Sequence, residues 1–377
     1  MLVELHLIQN FVPSCLNRDD TNTPKDCEFG GHRRARISSQ CIKRSIRKAN
    51  VFRETLEQAP GVRTKLLVSQ LEEKLAHIGK EPTTIKAIVP AFVVNLMSKL
   101  EKDKTAVLLY LGDDEIERMK EVLLSHWDKL DAAAHKSDKE IEAALNEACK
   151  LATKDFKSGS KAADIALFGR MMAEHPEFNI DAACQVAHAI STNRVLMDMD
   201  FYTAVDDLQP EAETGAGMMG VTGFNSSCFY RYSLVDLEQL KENLGGDVEL
   251  ARKTLEAFLR ASVTAIPTGK QNSMAAQNPP EAVFAVARDK GAPASLANAF
   301  AVPVRSTSEK SLAQASIEAM DSYWGKLTRV YGEDGVKVRP ICLVDQAELK
   351  ALKGQEVSSF EELVKVIVDS ISFMKGE

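Results

Sequence analysis

The chain has 377 residues, enough for two or three domains, and its 45% apolar and 27% charged residues are typical of a globular protein with a sizeable core. A formal net charge of −7 excludes a general polyanion-binding protein, so any contact with nucleic acid must use a local patch. The sequence has no apolar run long enough to span a membrane and no basic leader at its start, so we expect a cytoplasmic protein without a membrane partner.

The first elements predicted along the chain are a strand, a loop and a basic helix. Residues 2–9 alternate between apolar and polar side chains, which is typical of a strand. A loop rich in Pro, Asn and Asp follows over residues 13–31 and closes on two glycines. Ser38 or Ser39 can then cap a helix that continues to about Asn50.

The middle of the chain is predicted to be helical and the last part mixed. Residues 54–175 have helical spacing and dense surface charge, with almost no strand signal, and a further helix is predicted over 181–195. Strand patterns then return in three segments: 224–235, 282–288 and 336–344. Helical patterns lie between and after them: 247–264, 308–330 and 358–374. This order predicts an α+β sandwich of the ferredoxin or RRM type, with a helical domain inserted after its first helix.

The most unusual stretch is the basic segment over residues 33–48, which holds seven Lys or Arg and no acidic residue. A helix that is merely solvated usually carries acids at i,i+4 spacing from its cations, and these are missing here. The helix start also offers free backbone N–H groups, which suit a phosphate. The pattern therefore favours phosphate binding over a solvated charged face. On a helical wheel the cationic side comprises Gln40, Lys43, Arg44, Arg47 and Lys48.

The seven cysteines and seven histidines show no metal-ligand spacing, so we expect reduced thiols, no metal and no cofactor. Asp19, Asp20 and Asp26 could bind a metal or act in acid–base catalysis, and His32 could be a general base. Polar turn residues are the commoner explanation for such a loop.

A second unusual segment, residues 198–213, joins Phe201 and Tyr202 to six acidic residues. It is either a core strand or an exposed element that stacks on bases. The sequence "GAGMMG" at 215–220 follows it and formally matches a dinucleotide-binding pattern. The strand before and the helix after that such a site needs are missing, so a glycine-rich arm is favoured.

Eight motifs in a fixed order extend over most of the chain. They are "PSCLNRDD" (13–20), "KD" and "FGGHRRARISSQ" with "KR" (25–44), "DIALFGRM" (164–171), "AHAIST" (187–192), "DFYTAVDDLQ" (200–209), "FYRY" (229–232), "ENLGG" (242–246) and "LANAF" (296–300). In this order they resemble the CasC family, the repeated backbone subunit of the type I-E CRISPR complex Cascade.

The resemblance implies a RAMP fold shaped like a hand. Its parts are an RRM-like palm over 1–53 and 179–377, inserted helical fingers over 54–178, and a protruding thumb arm at about 196–223. It implies a non-catalytic subunit that assembles in several copies along the CRISPR RNA spacer, holds its backbone and presents bases to target DNA in antiviral defence. The implied partners are CRISPR RNA, further copies in a helical row, other Cascade subunits, and target DNA through the guide.

The resemblance also implies RNA contacts, residue by residue. The matching positions are Arg18, Lys25, Ser38, Gln40, Lys43, Arg47, Met171, Phe201, Tyr202 and Thr203. The basic segment itself adds Arg34, Arg36 and Arg44. Phe201 stands where the family pattern has Trp, which leaves open whether it or Tyr202 stacks on a base, and His32 stands where a lysine is common.

Two other functions are compatible with the sequence. The first is a RAMP-type endoribonuclease that uses a loop aspartate, since related subunits of type III complexes cut target RNA in this way. The second is a helical scaffold that binds only proteins. RNA cleavage would identify the first, and the absence of salt-dependent RNA binding would identify the second.

Overall fold

The computed structural model describes residues 1–57, 60–156, 159–172, 174–204 and 218–373. The strands in this part of the chain are β1 (Leu2–Ser14), β2 (Asp26–Phe29), β3 (His32–Ile37), β4 (Val62–Thr64), β5 (Leu100–Glu101), β6 (Lys104–Thr105), β7 (Leu109–Leu111), β8 (Cys184–Val186), β9 (Ala189–Ser191), β10 (Asp198–Ala204), β11 (Met218–Asp236), β12 (Ala282–Arg288), β13 (Val336–Val338) and β14 (Ile341–Leu343). The α-helices are α1 (Ser39–Lys48), α2 (Asn50–Leu56), α3 (Leu67–His77), α4 (Pro82–Leu96), α5 (Asp113–Ser125), α6 (Trp127–Ala134), α7 (Asp138–Phe156), α8 (Ala163–Phe168), α9 (Leu237–Asn243), α10 (Val248–Thr264), α11 (Gln271–Met274), α12 (Leu312–Tyr331) and α13 (Phe360–Asp369).

The chain folds as two units. Unit 1 comprises Met1–Phe52, Gln185–Val235 and Leu255–Glu377, and unit 2 comprises Arg53–Cys184 and Asp236–Thr254. The domain boundaries expected from the sequence place Asp236–Thr254 in the palm, whereas the structure groups this segment with unit 2. Within the described residues, no helix combines the length and apolar composition that a membrane crossing requires.

A ten-stranded sheet forms the centre of unit 1, with its main path in the order β13-β12-β1-β11-β9-β3-β2. β8 and β10 pair with β11, and β14 pairs with β12. β1 and β12 run antiparallel over seven residue pairs, from Leu2 opposite Arg288 to Ile8 opposite Ala282. Phe284 of β12 and Trp324 of α12 belong to the buried cluster of this unit. The predicted α+β class is confirmed by this large antiparallel sheet with helices.

β1 differs from a strand with one solvent-exposed face, because its polar residues are buried as well as its apolar ones. Glu4 and His6 are both 0% exposed. Glu4 forms a salt bridge of 2.7 Å with Arg288 and accepts hydrogen bonds from the Tyr232 hydroxyl and the Ala294 N–H. Both faces of β1 are therefore buried, and the face that carries Glu4 contains a polar network.

Unit 2 is mainly helical. Its core includes Leu71, Phe92, Leu123 and Trp127, contributed by α3 to α6, together with apolar residues of α7. Two small sheets, β4 with β7 and β5 with β6, accompany these helices. These strands produce almost no signal in the sequence because each has only two or three residues.

The prediction of a helix over 181–195 is wrong. Its residues form β8 and β9, which pair with β11 and, through β9, with β3. An amphipathic helix would need one side in solvent, whereas Ala189 and Ser191 are both buried in the sheet. The predicted strand over 336–344 is divided into β13 and β14, with Pro340 between them. The predicted strand over 282–288 and helices over 247–264 and 308–330 are confirmed within a few residues by β12, α10 and α12. The helix predicted over 358–374 corresponds to α13, which ends earlier, at Asp369.

Candidate nucleic-acid interface

The basic helix α1 begins at the residue that the sequence predicts. Ser38 is extended, with φ −68° and ψ 147°, and its Oγ accepts a hydrogen bond of 3.4 Å from the Cys41 N–H. The Ser38 N–H donates to the Asn17 Oδ1 at 2.8 Å. Ser38 therefore caps the helix and ties its first turn to the loop that follows β1.

The two sides of α1 differ as an amphipathic helix requires. Ile42 and Ile46 are buried in unit 1, and Lys43 is half-buried at the margin. The exposed side chains recur at every fourth residue: Gln40, Arg44 and Lys48. This spacing places them one above another on the solvent side of the helix.

Two predicted RNA contacts are not at the surface. Arg34 is fully buried, and its guanidinium donates to the backbone carbonyls of Ser191 and Thr192 at 2.9 and 3.0 Å and to those of Phe300 and Ala301 at 2.6 and 3.1 Å. Four of its five N–H groups are thus used to join β9 to a distant segment of unit 1. Arg47 is only 4% exposed. The structure contradicts a surface RNA contact for both residues, and the cationic side of α1 is narrower than the wheel predicts.

Further cations of the predicted set flank α1. Arg18 is exposed and donates to the Asn22 Oδ1 at 2.6 Å, while Lys25 is half-buried. Arg36 donates through Nε to the Asp26 carbonyl at 3.3 Å, and its Nη1 lies 3.0 Å from the His188 Nδ1. These contacts leave the cations at the surface of unit 1.

His188 was not identified by the sequence as a site residue. Because the Arg36 guanidinium can only donate, the Nδ1 of His188 accepts from it, and the ring proton of His188 lies on Nε2. Burial, followed by the charges of Arg36 and Lys25, lowers the pKa of His188. A neutral imidazole N–H therefore stands among the cations. The motif "AHAIST" contained this residue, but only the pairing of β9 with β3 shows which cation it meets.

Several cations of this surface have no acidic partner within unit 1. Arg33, by contrast, forms a salt bridge with Asp26. Among the cations on α1 and the segments near it, those that form no salt bridge to any described residue are Arg18, Lys25, Arg36, Arg44, Lys48 and Lys270. Together with Lys43 and Gln40 they define what we term the cationic surface. Charges that are not compensated internally are available to an external anion.

A cavity of about 610 Å³ opens on the cationic surface. One wall consists of Arg44, Ser45 and Lys48 of α1, and another of the loop that contains Arg18. A third wall is formed by Thr268 and Gly269. The sequence did not predict this third wall, because more than two hundred residues separate it from the other two.

The aspartates near the cavity are mostly engaged within their own loop. Both carboxylate oxygens of Asp19 accept hydrogen bonds from Thr21 and Thr23, and these bonds, that of the Thr21 hydroxyl foremost, lower the pKa of Asp19. Asp26 is paired with Arg33, and Asp20 is exposed. The contacts of Asp19 are those of a polar turn. In the described ranges, no group of three or more His, Cys, Asp or Glu is arranged to hold a metal ion.

The aromatic segment forms an antiparallel pair between β10 and the start of β11, with Phe201 opposite Val221 and Tyr202 opposite Gly220. Phe201 is 61% and Tyr202 42% exposed, and Thr203 is exposed too. The Tyr202 ring lies so close over Gly220 that a Cβ there would collide with it. These aromatics are not core residues. The rest of the predicted arm, residues 205–217 with Gly215 and Gly217, lies outside the described residues.

Met171 belongs to unit 2 and is 86% exposed. It follows Arg170, whose guanidinium is buried against Glu115 with Nη1–O distances of 2.7 and 2.8 Å. The buried Arg170 therefore directly precedes Met171, whose apolar side chain is exposed to solvent.

Comparison with known proteins gives two kinds of similarity. A family model described as CT1975-like protein matches residues 3–366. A solved chain of a "CRISPR RNA-guided surveillance complex, pre-nicking" is 31% identical with a TM-score of 0.84, covering 98% of this chain and 100% of that one. A chain of a "CRISPR RNA-guided surveillance complex" is 26% identical with a TM-score of 0.75, at the same coverage. A search of curated proteins gives no match.

Proposed function

The chain belongs to the CT1975-like protein family, and from this premise we propose that it is a non-catalytic, RNA-binding backbone subunit of a CRISPR surveillance complex of type I-E, corresponding to CasC. In this proposal several copies assemble along the spacer of a CRISPR RNA in the cytoplasm. Unit 1 is the RRM-like palm, unit 2 is the fingers, and β10 with the start of β11 is part of the thumb.

The observation that carries the proposal is the cationic surface. Some surface cations elsewhere in this acidic chain are paired with acids, as Lys74, Arg118 and Lys310 are. On the cationic surface six Lys or Arg form no salt bridge with the described residues, and they include the solvent side of a capped helix. Similarity over the whole chain to subunits of RNA-guided complexes supports RNA as the anion.

In the proposed mode of binding, the protein contacts phosphates and sugars and leaves the base edges free. Arg18, Lys25, Lys43 and Arg44 contact the backbone, because sequence is read by the bases of the guide and not by the protein. The exposed aromatics of the arm stack against a displaced base, and Met171 contacts bases of the guide. Target DNA is then bound through the guide.

The test measures the binding of a CRISPR RNA guide to the full chain over a series of salt concentrations. Arg44→Ala combined with Lys48→Ala should weaken binding of all sequences alike. The log–log salt slope should fall by roughly 0.7 for each lost phosphate contact on single-stranded RNA. The matched control is Lys353→Ala, which removes an exposed cation outside the cationic surface. An unchanged slope in the double variant would show that α1 is only a solvated face.

The proposal includes no cleavage step. The geometry of Asp19 supports this, because its oxygens are used by the turn of its own loop. Incubation of the purified complex with complementary RNA and divalent metal should give no products. Metal-dependent cleavage that Asp20→Ala or Asp26→Ala abolishes would establish the endoribonuclease alternative instead.

A further inference from the structure

The third wall of the cavity belongs to a segment, residues 267–275, that includes the short helix α11 and that no motif in the sequence identified. A Cβ at Gly269 would lie 2.6 Å from the Cys15 carbonyl oxygen and closer still to that of Leu16. Only glycine therefore allows this loop to lie directly on the backbone that leaves β1. The close approach brings Thr268 and Gly269 to the same cavity as Arg18.

The loop is held in one conformation by its own hydrogen bonds. The Gln271 side-chain amide donates to the Pro267 and Ala276 carbonyls at 3.0 and 3.2 Å. Lys270 has φ 51° and ψ 21°, the left-handed conformation that a residue with a Cβ adopts only where its surroundings enforce it. Its carbonyl accepts from the N–H groups of Ser273 and Met274. The backbone of Lys270 is thus fixed by the turn.

The side chains of this wall have unused donors. Neither the Thr268 hydroxyl nor the Lys270 ammonium has a hydrogen-bond partner among the described residues. Burial raises the pKa of the nearby Cys15 thiol, and the charges of Arg18 and Lys270 oppose that rise. Both cations therefore lie within electrostatic range of one point at the base of the loop after β1.

We propose that Thr268 and Lys270 form, with Arg18, Arg44 and Lys48, a phosphate site for one phosphodiester of the RNA backbone. The inference rests on the proposed function and adds the segment around Gly269 to the cavity that α1 lines. Three cations, Arg18, Arg44 and Lys48, line the cavity with two aspartates, and Lys270 directly follows Gly269 of the third wall. Of the two aspartates, Asp19 already has both oxygens hydrogen-bonded within its turn. The balance of charge in the cavity is therefore positive.

The test compares Lys270→Asn, Lys270→Arg and the control Lys353→Asn in salt-dependent binding of a CRISPR RNA guide to the full chain. Asparagine tolerates the left-handed backbone, so the first variant removes the charge and keeps the turn. Lys270→Asn should lower the salt slope by about 0.7 and weaken binding several-fold, whereas Lys270→Arg should retain the slope. Asp20→Asn should strengthen binding, because it removes a negative charge from the cavity.

The outcomes distinguish this inference from the function on which it rests. If the unmodified chain shows no salt-dependent RNA binding, the proposed function fails. If the unmodified chain binds, Arg44→Ala with Lys48→Ala lowers the slope, and Lys270→Asn does not, then only the third wall of the site is refuted. A Lys270→Asn variant that equals Lys353→Asn in both slope and affinity gives that same refutation.

Discussion

Single buried charges in this protein have a structural role that their residue type does not reveal. Arg34 stands in the basic segment beside Arg33, yet it is fully buried and binds four carbonyls while Arg33 is exposed. A strand of six residues exposes and buries side chains according to its neighbours in the sheet. The residue sequence alone therefore predicts a charged segment, but not which of its members reach solvent.

His6 gives a prediction at this scale. Burial, and next the charge of Arg288, lower the pKa of His6 from 6.5 to about 3. The unfolded chain binds a proton at His6 below pH 6.5 and the folded chain does not until about pH 3, so acidification in this window favours unfolding by about 1.4 kcal/mol per pH unit. Between pH 7 and pH 5.5, His6→Gln should reduce the loss of unfolding free energy by about 1 kcal/mol in urea titrations. The exposed His77, changed to Gln, is the control. An equal pH dependence in His6→Gln and the unmodified chain would contradict the buried neutral imidazole.

At the scale of elements, the long periodic segments could be predicted and the short paired ones could not. α10, α12 and α13 have enough turns for an apolar stripe to appear in the sequence. β2 lies within the loop predicted over 13–31, and β3, which follows it, was not predicted as a strand. Their two-residue turn, Gly30 and Gly31 with φ 59° and 75°, nevertheless has the typical glycine signal. Gly30 also packs against the Ala301 carbonyl, a long-range contact that no local pattern contains.

The candidate site shows the same division. Its helix and preceding loop are continuous in sequence, so Arg18, Lys25, Lys43 and Arg44 could be named from the pattern and the family resemblance. Thr268 and Lys270 meet that loop only because Gly269 packs on the backbone after β1. His188 meets Arg36 only through the pairing of β9 with β3.

The aromatic arm gives a prediction at the scale of elements. Phe201→Ala with Tyr202→Ala should preserve the fold, because both side chains are exposed on β10. It should remove stacking of roughly 1–3 kcal/mol per base, and so blur the periodic reactivity of the bound guide in chemical probing. Met219→Ala, an exposed residue of the facing strand, is the control. A double variant with unchanged periodic reactivity would show that these aromatics do not contact the displaced base.

At the scale of the whole molecule, the chain combines a net charge of −7 with one cationic surface. In the proposed function, the excess of acidic over basic residues disfavours nucleic acid elsewhere and directs RNA to that surface. If copies bind side by side on one strand, as we propose, they use a heterologous contact, which extends as an open row unless something closes it.

Assembly provides the corresponding prediction. Purified from cells that express a CRISPR RNA, the protein should elute from gel filtration as large assemblies, and nuclease treatment should convert them to small species. Arg44→Ala with Lys48→Ala should give small species before and after nuclease. Large assemblies that persist after complete RNA digestion would favour the protein-binding scaffold instead.

The four-residue spacing of Gln40, Arg44 and Lys48 sets the distance between their side chains. Four residues of an α-helix rise about 6 Å, so the three exposed side chains form an evenly spaced row about 12 Å long. This interval is comparable to the separation of neighbouring phosphates along a nucleic-acid strand. In the proposed function, the rise of α1 therefore sets the spacing at which its exposed side chains meet neighbouring phosphates. A single-residue insertion between Gln40 and Arg44 would keep every charge and lose the registry.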